Sequence, residues 1–141
     1  MSPIVRIGPD APEFAQPNMR HAGPMVTARF KLPNSDLATE PLFALIDTGA
    51  STTVLDEALA FALVPKSNWR ATEVKDPIVG TRTTHELELE LCVPQIDETT
   101  TLTVITGPLV AQGIHALLGR DFLADKVLIY DGRAGTVTLC R

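Results

Sequence analysis

The amino-acid sequence predicts an all-β domain with one or two short helices, and three observations carry that reading. Apolar and β-branched residues gather in short runs, and one of them, His85 to Val93, alternates almost without error: Leu87, Leu89 and Leu91 fall on one side and Glu86, Glu88 and Glu90 on the other. Clusters of Gly, Pro, Asn and Asp separate the runs at strand-like spacing. Only two segments, Asp56 to Leu63 and roughly Arg120 to Ala124, have the composition of helices.

The elements follow in order. Residues 1–24 contain Pro3, Pro9, Pro12, Pro17 and Pro24, and proline donates no backbone hydrogen bond, so this stretch is expected to be an extended arm outside the core. The folded domain is expected over 25–141. Val26 to Leu32 reads as a strand that exits at Pro33-Asn34-Ser35-Asp36. Glu40 to Asp47 is an apolar run whose Leu42, Phe43, Leu45 and Ile46 suit a strand buried on both faces. Thr52 to Leu55 extends again, and Asp56 starts a helix that stops before Pro65. Thr99 to Thr106 repeats the β-branched texture until Gly107-Pro108 breaks it. Val127 to Tyr130 and Thr136 to Leu139 flank Asp131-Gly132-Arg133-Ala134-Gly135, the pattern of a hairpin.

A chain of 141 residues is the size of one domain and can bury a sizeable core. With 45% hydrophobic and 21% charged residues it has the balance of a soluble globular protein. No apolar run approaches the roughly 20 residues that a spanning helix needs, so no membrane partner is expected. Met1 to Asp10 shows no secretory signal, and a cytoplasmic location is the default expectation. The net charge of −5, with no Lys/Arg cluster, argues against nucleic acid as a partner. Cys92 and Cys140 lack the paired spacing of zinc or redox sites and read as buried free thiols. His21, His85 and His115 are too scattered to form a metal motif, so neither a metal nor an organic cofactor is expected.

Chemistry concentrates where the run from Glu40 stops at an acid. Asp47 follows a buried strand and precedes Thr48-Gly49, a tripeptide that also suits any tight turn. A carboxylate at such a strand end is partly desolvated and suited to exchanging a proton. Thr48 adds a hydroxyl, and Gly49 lets the backbone approach a substrate or a second chain closely.

The segment Leu45-Ile46-Asp47-Thr48-Gly49-Ala50-Ser51-Thr52 resembles the active-site loop of pepsin-like and retropepsin-like aspartic peptidases. Ala116-Leu117-Leu118-Gly119-Arg120-Asp121-Phe122-Leu123 is similar to the segment that supports that loop in the same superfamily, and the similarity extends from about Val26 to Leu139. The resemblance implies a closed-barrel acid-protease lobe that works as a homodimer on an extended polypeptide. It implies Asp47 as the catalytic carboxylate, Thr48 hydrogen-bonding across the dimer axis, and Gly49 offering its carbonyl to substrate. Ala50, Leu117 and Leu118 would line or back the substrate pocket. Ser51, Gly119 and Arg120 would support the loop. Glu73 to Glu86 would be the flap, with Ile78, Val79 and Gly80 near its tip touching substrate.

The reaction needs two carboxylates, because the family activates a water between one ionised and one protonated aspartate about 3 Å apart. The chain has one Asp-Thr-Gly and no Asp-Ser-Gly, and Asp131-Gly132 is explained by its turn. The partner acid must then be Asp47 of a second copy. Viral members carry an acid where this chain has Ser51, which leaves open what Arg120 binds. The competing reading is a catalytically silent module of the same fold that binds peptides or dimerises.

Overall fold

The computed structural model describes residues 5–7, 20, 21, 23–76 and 80–140. The described chain is mostly β. Strands β1 (Val5–Ile7), β10 (Thr136–Cys140) and β9 (Val127–Asp131) form a small antiparallel sheet in the order β1-β10-β9. The larger sheet contains β2 (Met25–Lys31), β3 (Leu42–Ile46), β8 (Ala116–Leu118), β4 (Val54–Asp56), β7 (Glu98–Gly107), β6 (Gly80–Val93) and β5 (Arg70–Asp76), in that lateral order. β2 pairs with β3 through its first half and with β6 through Arg29, Phe30 and Lys31, so it touches strands at both ends of the row from β3 to β6.

Strand β6 shows why the alternating sequence folds as it does. Leu87, Leu89, Leu91 and Val93 are buried, while the intervening Glu88 and Glu90 reach solvent. Each of these leucines contributes roughly 1.5–3 kcal/mol by leaving water. They meet Phe30, Leu55, Val104 and Leu118 from neighbouring strands, and Val137 and Leu139 bring the small sheet onto the same core. Helix α1 (Glu57–Leu63) closes one side through Ala60 and Leu63. Its start is set by Asp56, whose buried carboxylate accepts from the backbone N–H of Ala58 as well as of Leu109 and Val110. Helix α2 (Arg120–Leu123) is a single turn after β8, anchored by buried Phe122.

Two expectations need correction. Strand β3 is not buried on both faces: Leu42, Ala44 and Ile46 point inward, Leu45 is half-covered, and Phe43 is 60% exposed. β2 and β8 satisfy its two edges, but side chains alternate, and Phe43 on the outer face is left largely to solvent, stacked on the ring of His115 at 6.2 Å. Cys92 and Cys140 are free, but they are partly exposed rather than buried. Within the stretch read as an arm, Val5–Ile7 pairs with Val137, Thr138 and Leu139 of β10 as an edge strand. Among the described residues no helix is long and apolar enough to cross a membrane.

Candidate active site

The site is built where two strands leave and re-enter the sheet without touching each other. β3 runs into the loop of residues 47–53 and the chain returns as β4, while β8 lies between them, parallel to β3 and antiparallel to β4. The segments around Asp47 and Gly119, which share an apolar-then-glycine texture, therefore lie side by side. Ile46 stands opposite Leu118, and the Asp47 N–H donates to the Leu118 carbonyl at 2.9 Å.

Asp47 is half-buried, and Thr48 and Gly49 are exposed. The carboxylate Oδ1 of Asp47 accepts the Gly49 N–H at 2.9 Å, and its carbonyl accepts from Ala50 at 3.2 Å, so the aspartate folds the turn around itself. A Cβ on Gly49 would stand 3.1 Å from that same Oδ1, so any other residue there would press on the catalytic candidate's carboxylate. Thr48 holds the loop through its main-chain carbonyl, and its exposed hydroxyl makes no hydrogen bond among the described residues.

The support beneath the loop is tighter still. A Cβ on Gly119 would lie 2.7 Å and 2.8 Å from the Thr52 carbonyl group and 2.9 Å from the Ala50 oxygen, all backbone atoms. Only glycine lets β8 pass this close. From there Arg120 and Asp121 take hold of the loop carbonyls: Arg120 N–H donates to Ala50 O at 2.8 Å, Arg120 Nη1 to Thr48 O at 2.7 Å, and Asp121 N–H to Ser51 O at 3.3 Å. The partner of Arg120, open in the sequence, is thus the carbonyl of Thr48 in place of an acid. Ser51 itself is exposed and serves through its backbone.

Two residues that sequence reasoning did not single out lock this arrangement. The hydroxyl of Thr53, fully buried, donates to Asp121 Oδ1 at 2.7 Å and accepts from the Gly119 N–H at 3.2 Å. The Thr53 N–H donates to Asp121 Oδ2 at 2.9 Å, and Asp121 Oδ1 also accepts from Phe122 at 2.8 Å. An acid one residue after Arg120, at the start of a helical turn, was the available signal.

A cleft of about 670 Å³ opens beside the loop, reached by Gly49, Ala50, Ser51 and Thr52 on one side and by Thr72, Val74, Arg82 and Glu86 of the β5–β6 hairpin on the other. Leu117 is partly exposed, whereas Leu118 is fully buried, so of lining and backing the pocket Leu118 can only back it. Gly80 has φ +84° with nothing near its would-be Cβ, and it closes the hairpin ladder opposite Asp76. Ile78 and Val79 lie outside the described residues. A second cavity of about 360 Å³, lined by Leu37, Pro41, Leu42, Leu59, Leu63 and His115 among others, includes no residue of the loop.

Comparison with known proteins agrees with this geometry. The family model for the retroviral aspartyl protease matches residues 21–128. A retropepsin-like aspartic protease from Rickettsia conorii superposes with a TM-score of 0.63 at 14% identity, covering 99% of this chain and 92% of that one. The aspartic proteinase from Irpex lacteus superposes at 0.53 and 15% identity, with 99% of this chain on 47% of that chain. The Simian Foamy Virus (mac) protease gives 0.49 at 20% identity over 71% of this chain and 91% of that one. No curated protein matches. With its Asp-Thr-Gly loop on a glycine-supported strand, the chain belongs to the retroviral aspartyl protease family.

Proposed function

We propose that the protein is an aspartic endopeptidase whose active site is completed by two copies of the chain, each contributing Asp47. The observation that carries this reading is the Asp47 turn. A half-buried carboxylate sits on an exposed Thr-Gly loop, fixed from below by Gly119, Arg120, Asp121 and Thr53, and bordered by a cleft under a long hairpin. Such a loop holds its functional atoms on strand ends rather than on a free surface segment, as catalysis requires.

One carboxylate is half of the chemistry. Two Asp47 side chains, one ionised and one protonated, would hold a water between them, remove its proton as it attacks the amide carbonyl, and return a proton to the leaving nitrogen. Two features support a second copy. The hydroxyl of Thr48 is exposed at the loop tip, and the edge strand β9 presents Val127, Ile129 and Tyr130 at 53–57% exposure with its outer edge unpaired among the described residues. We read the double pairing of β2 as closure of the larger sheet into a barrel. An extended polypeptide would lie in the cleft with the hairpin over it, its backbone added as a strand.

The direct test incubates the purified chain with an unfolded protein mixture across the acidic to neutral range, beside an Asp47→Asn variant. The wild type should cleave, with a bell-shaped dependence whose maximum lies on the acidic side, because one proton is shared by the pair. The variant, which keeps the shape but cannot ionise, should be inert while remaining folded. Undiminished cleavage by Asp47→Asn would remove Asp47 from the mechanism.

A further inference from the structure

The β5–β6 hairpin has one face turned toward the active-site loop. In its register Arg70 stands opposite Glu86, Thr72 opposite Thr84 and Val74 opposite Arg82. Side chains alternate along each strand, so these three pairs share that face. Two of these pairs have a side chain with a partner. Arg70 Nε lies 3.5 Å from Glu86, and the Thr84 hydroxyl, buried, donates to the Thr106 carbonyl at 2.7 Å.

Arg82 is different. It is half-buried on the cleft wall, and its guanidinium has neither a hydrogen bond nor an ion pair among the described residues. Its Nη2 lies 3.5 Å from where a Cβ on Gly107 would stand, so the guanidinium reaches in over the end of β7, into space that a side chain at position 107 would narrow. None of the acids on the cleft pairs with it: Glu86 lies 3.5 Å from Arg70, Asp121 accepts from Thr53 and Phe122, and Glu73 is exposed.

A guanidinium partly withdrawn from water, with its forked donors unmet, is matched best by a carboxylate, which it can bind through two parallel hydrogen bonds. We propose that Arg82 is a specificity-determining residue that binds the carboxylate of an Asp or Glu side chain in the polypeptide occupying the cleft. That the ligand is a polypeptide rests on the function proposed above; that an anionic group is selected rests on Arg82 itself.

The test uses the full-length chain and a set of otherwise identical peptides in which Glu or Gln is placed at each position in turn around the cleaved bond. One position should favour Glu. At that position Arg82→Gln should lower kcat/KM for the Glu peptide by about 10- to 100-fold, the range expected for loss of charge-assisted hydrogen bonds, and lower it far less for the Gln peptide, so that the preference for Glu is lost. Arg82→Lys, which keeps the charge without the fork, should retain part of the preference. The preference should also fade as pH falls through about 4.3, where a peptide glutamate takes up its proton. Cleavage with no Glu position affected by Arg82→Gln would overturn the assignment while leaving the peptidase intact. If no peptide is cut at all, the peptidase reading fails separately, and fluorescence anisotropy of the same peptides still decides: equal binding of Glu and Gln peptides, or binding unchanged by Arg82→Gln, rejects the carboxylate site.

Discussion

The Thr53–Asp121 clamp should prove one of the costliest places in the chain to alter. Asp121→Ala removes the acceptor for the Thr53 N–H, the Thr53 hydroxyl and the Phe122 N–H, at 2.9, 2.7 and 2.8 Å. Hydrogen bonds to a charged group contribute about 1.5–3 kcal/mol each, and a buried donor left unmet costs about 1–3 kcal/mol. Because such losses within one cluster overlap, the expected destabilisation is about 3–5 kcal/mol, a large part of a typical domain's total stability. Asp121→Asn keeps the shape but turns an amide NH₂ toward one of the donors, so about 2–3 kcal/mol is expected. Urea unfolding followed by the fluorescence of Trp69, the single tryptophan, at fixed protein concentration measures both. Thr53→Val completes a double-mutant cycle, in which a coupling of about 1–2 kcal/mol is expected. Strict additivity, or an Asp121→Ala cost under about 0.5 kcal/mol as at ordinary surface sites, would refute the clamp.

Gly119→Ala should cost about 2–4 kcal/mol and depress activity further than stability, because its methyl would press on the backbone of Thr52 and Ala50 and tilt the loop that carries Asp47; unfolding midpoints and turnover near those of the wild type would show that the loop yields freely. A buried and an exposed ion pair should differ sharply. Glu98→Gln strands Lys126, whose side chain is 2% exposed, and about 2–3 kcal/mol of stability should go, with Asp125 and the Phe122 carbonyl softening the loss. Glu86→Gln breaks a pair whose arginine is 60% exposed, and less than about 1 kcal/mol is expected. Equal denaturation midpoints for the two variants would contradict this ordering.

What could be read in the sequence was the part governed by local rules. Period-two alternation placed β6, turn residues placed the β9–β10 hairpin, and an acid before an alanine-leucine run placed α1 with Asp56 as its cap. Asp47-Thr48-Gly49 suits any tight turn by itself, and it stood out with Leu117-Leu118-Gly119-Arg120 because the two together, in that order, resemble the signatures of aspartic peptidases. What escaped depends on contacts far apart in sequence. Thr53 and Asp121 are 68 residues apart and neither is unusual alone. What Arg120 binds stays open in the sequence, and in the structure a backbone carbonyl 72 residues away meets its geometry. Apolar composition cannot tell a strand covered on both faces from one covered on a single face, and so Phe43 was misplaced. The pairing of Val5–Ile7 with β10 was hidden by surrounding prolines, which forbid a central strand but permit an edge.

The central claim is that one active site takes an Asp47 from each of two chains, and mixing wild type with Asp47→Asn tests it most directly. Once free exchange of subunits has been established with labelled chains, peptide hydrolysis is measured at constant total protein while the wild-type fraction is varied. Heterodimers would carry a single carboxylate and be inert, so activity should fall as the square of the wild-type fraction, to about one quarter when the two are equal. A linear fall, to half at equal amounts, would mean that each chain works alone and would contradict the shared site.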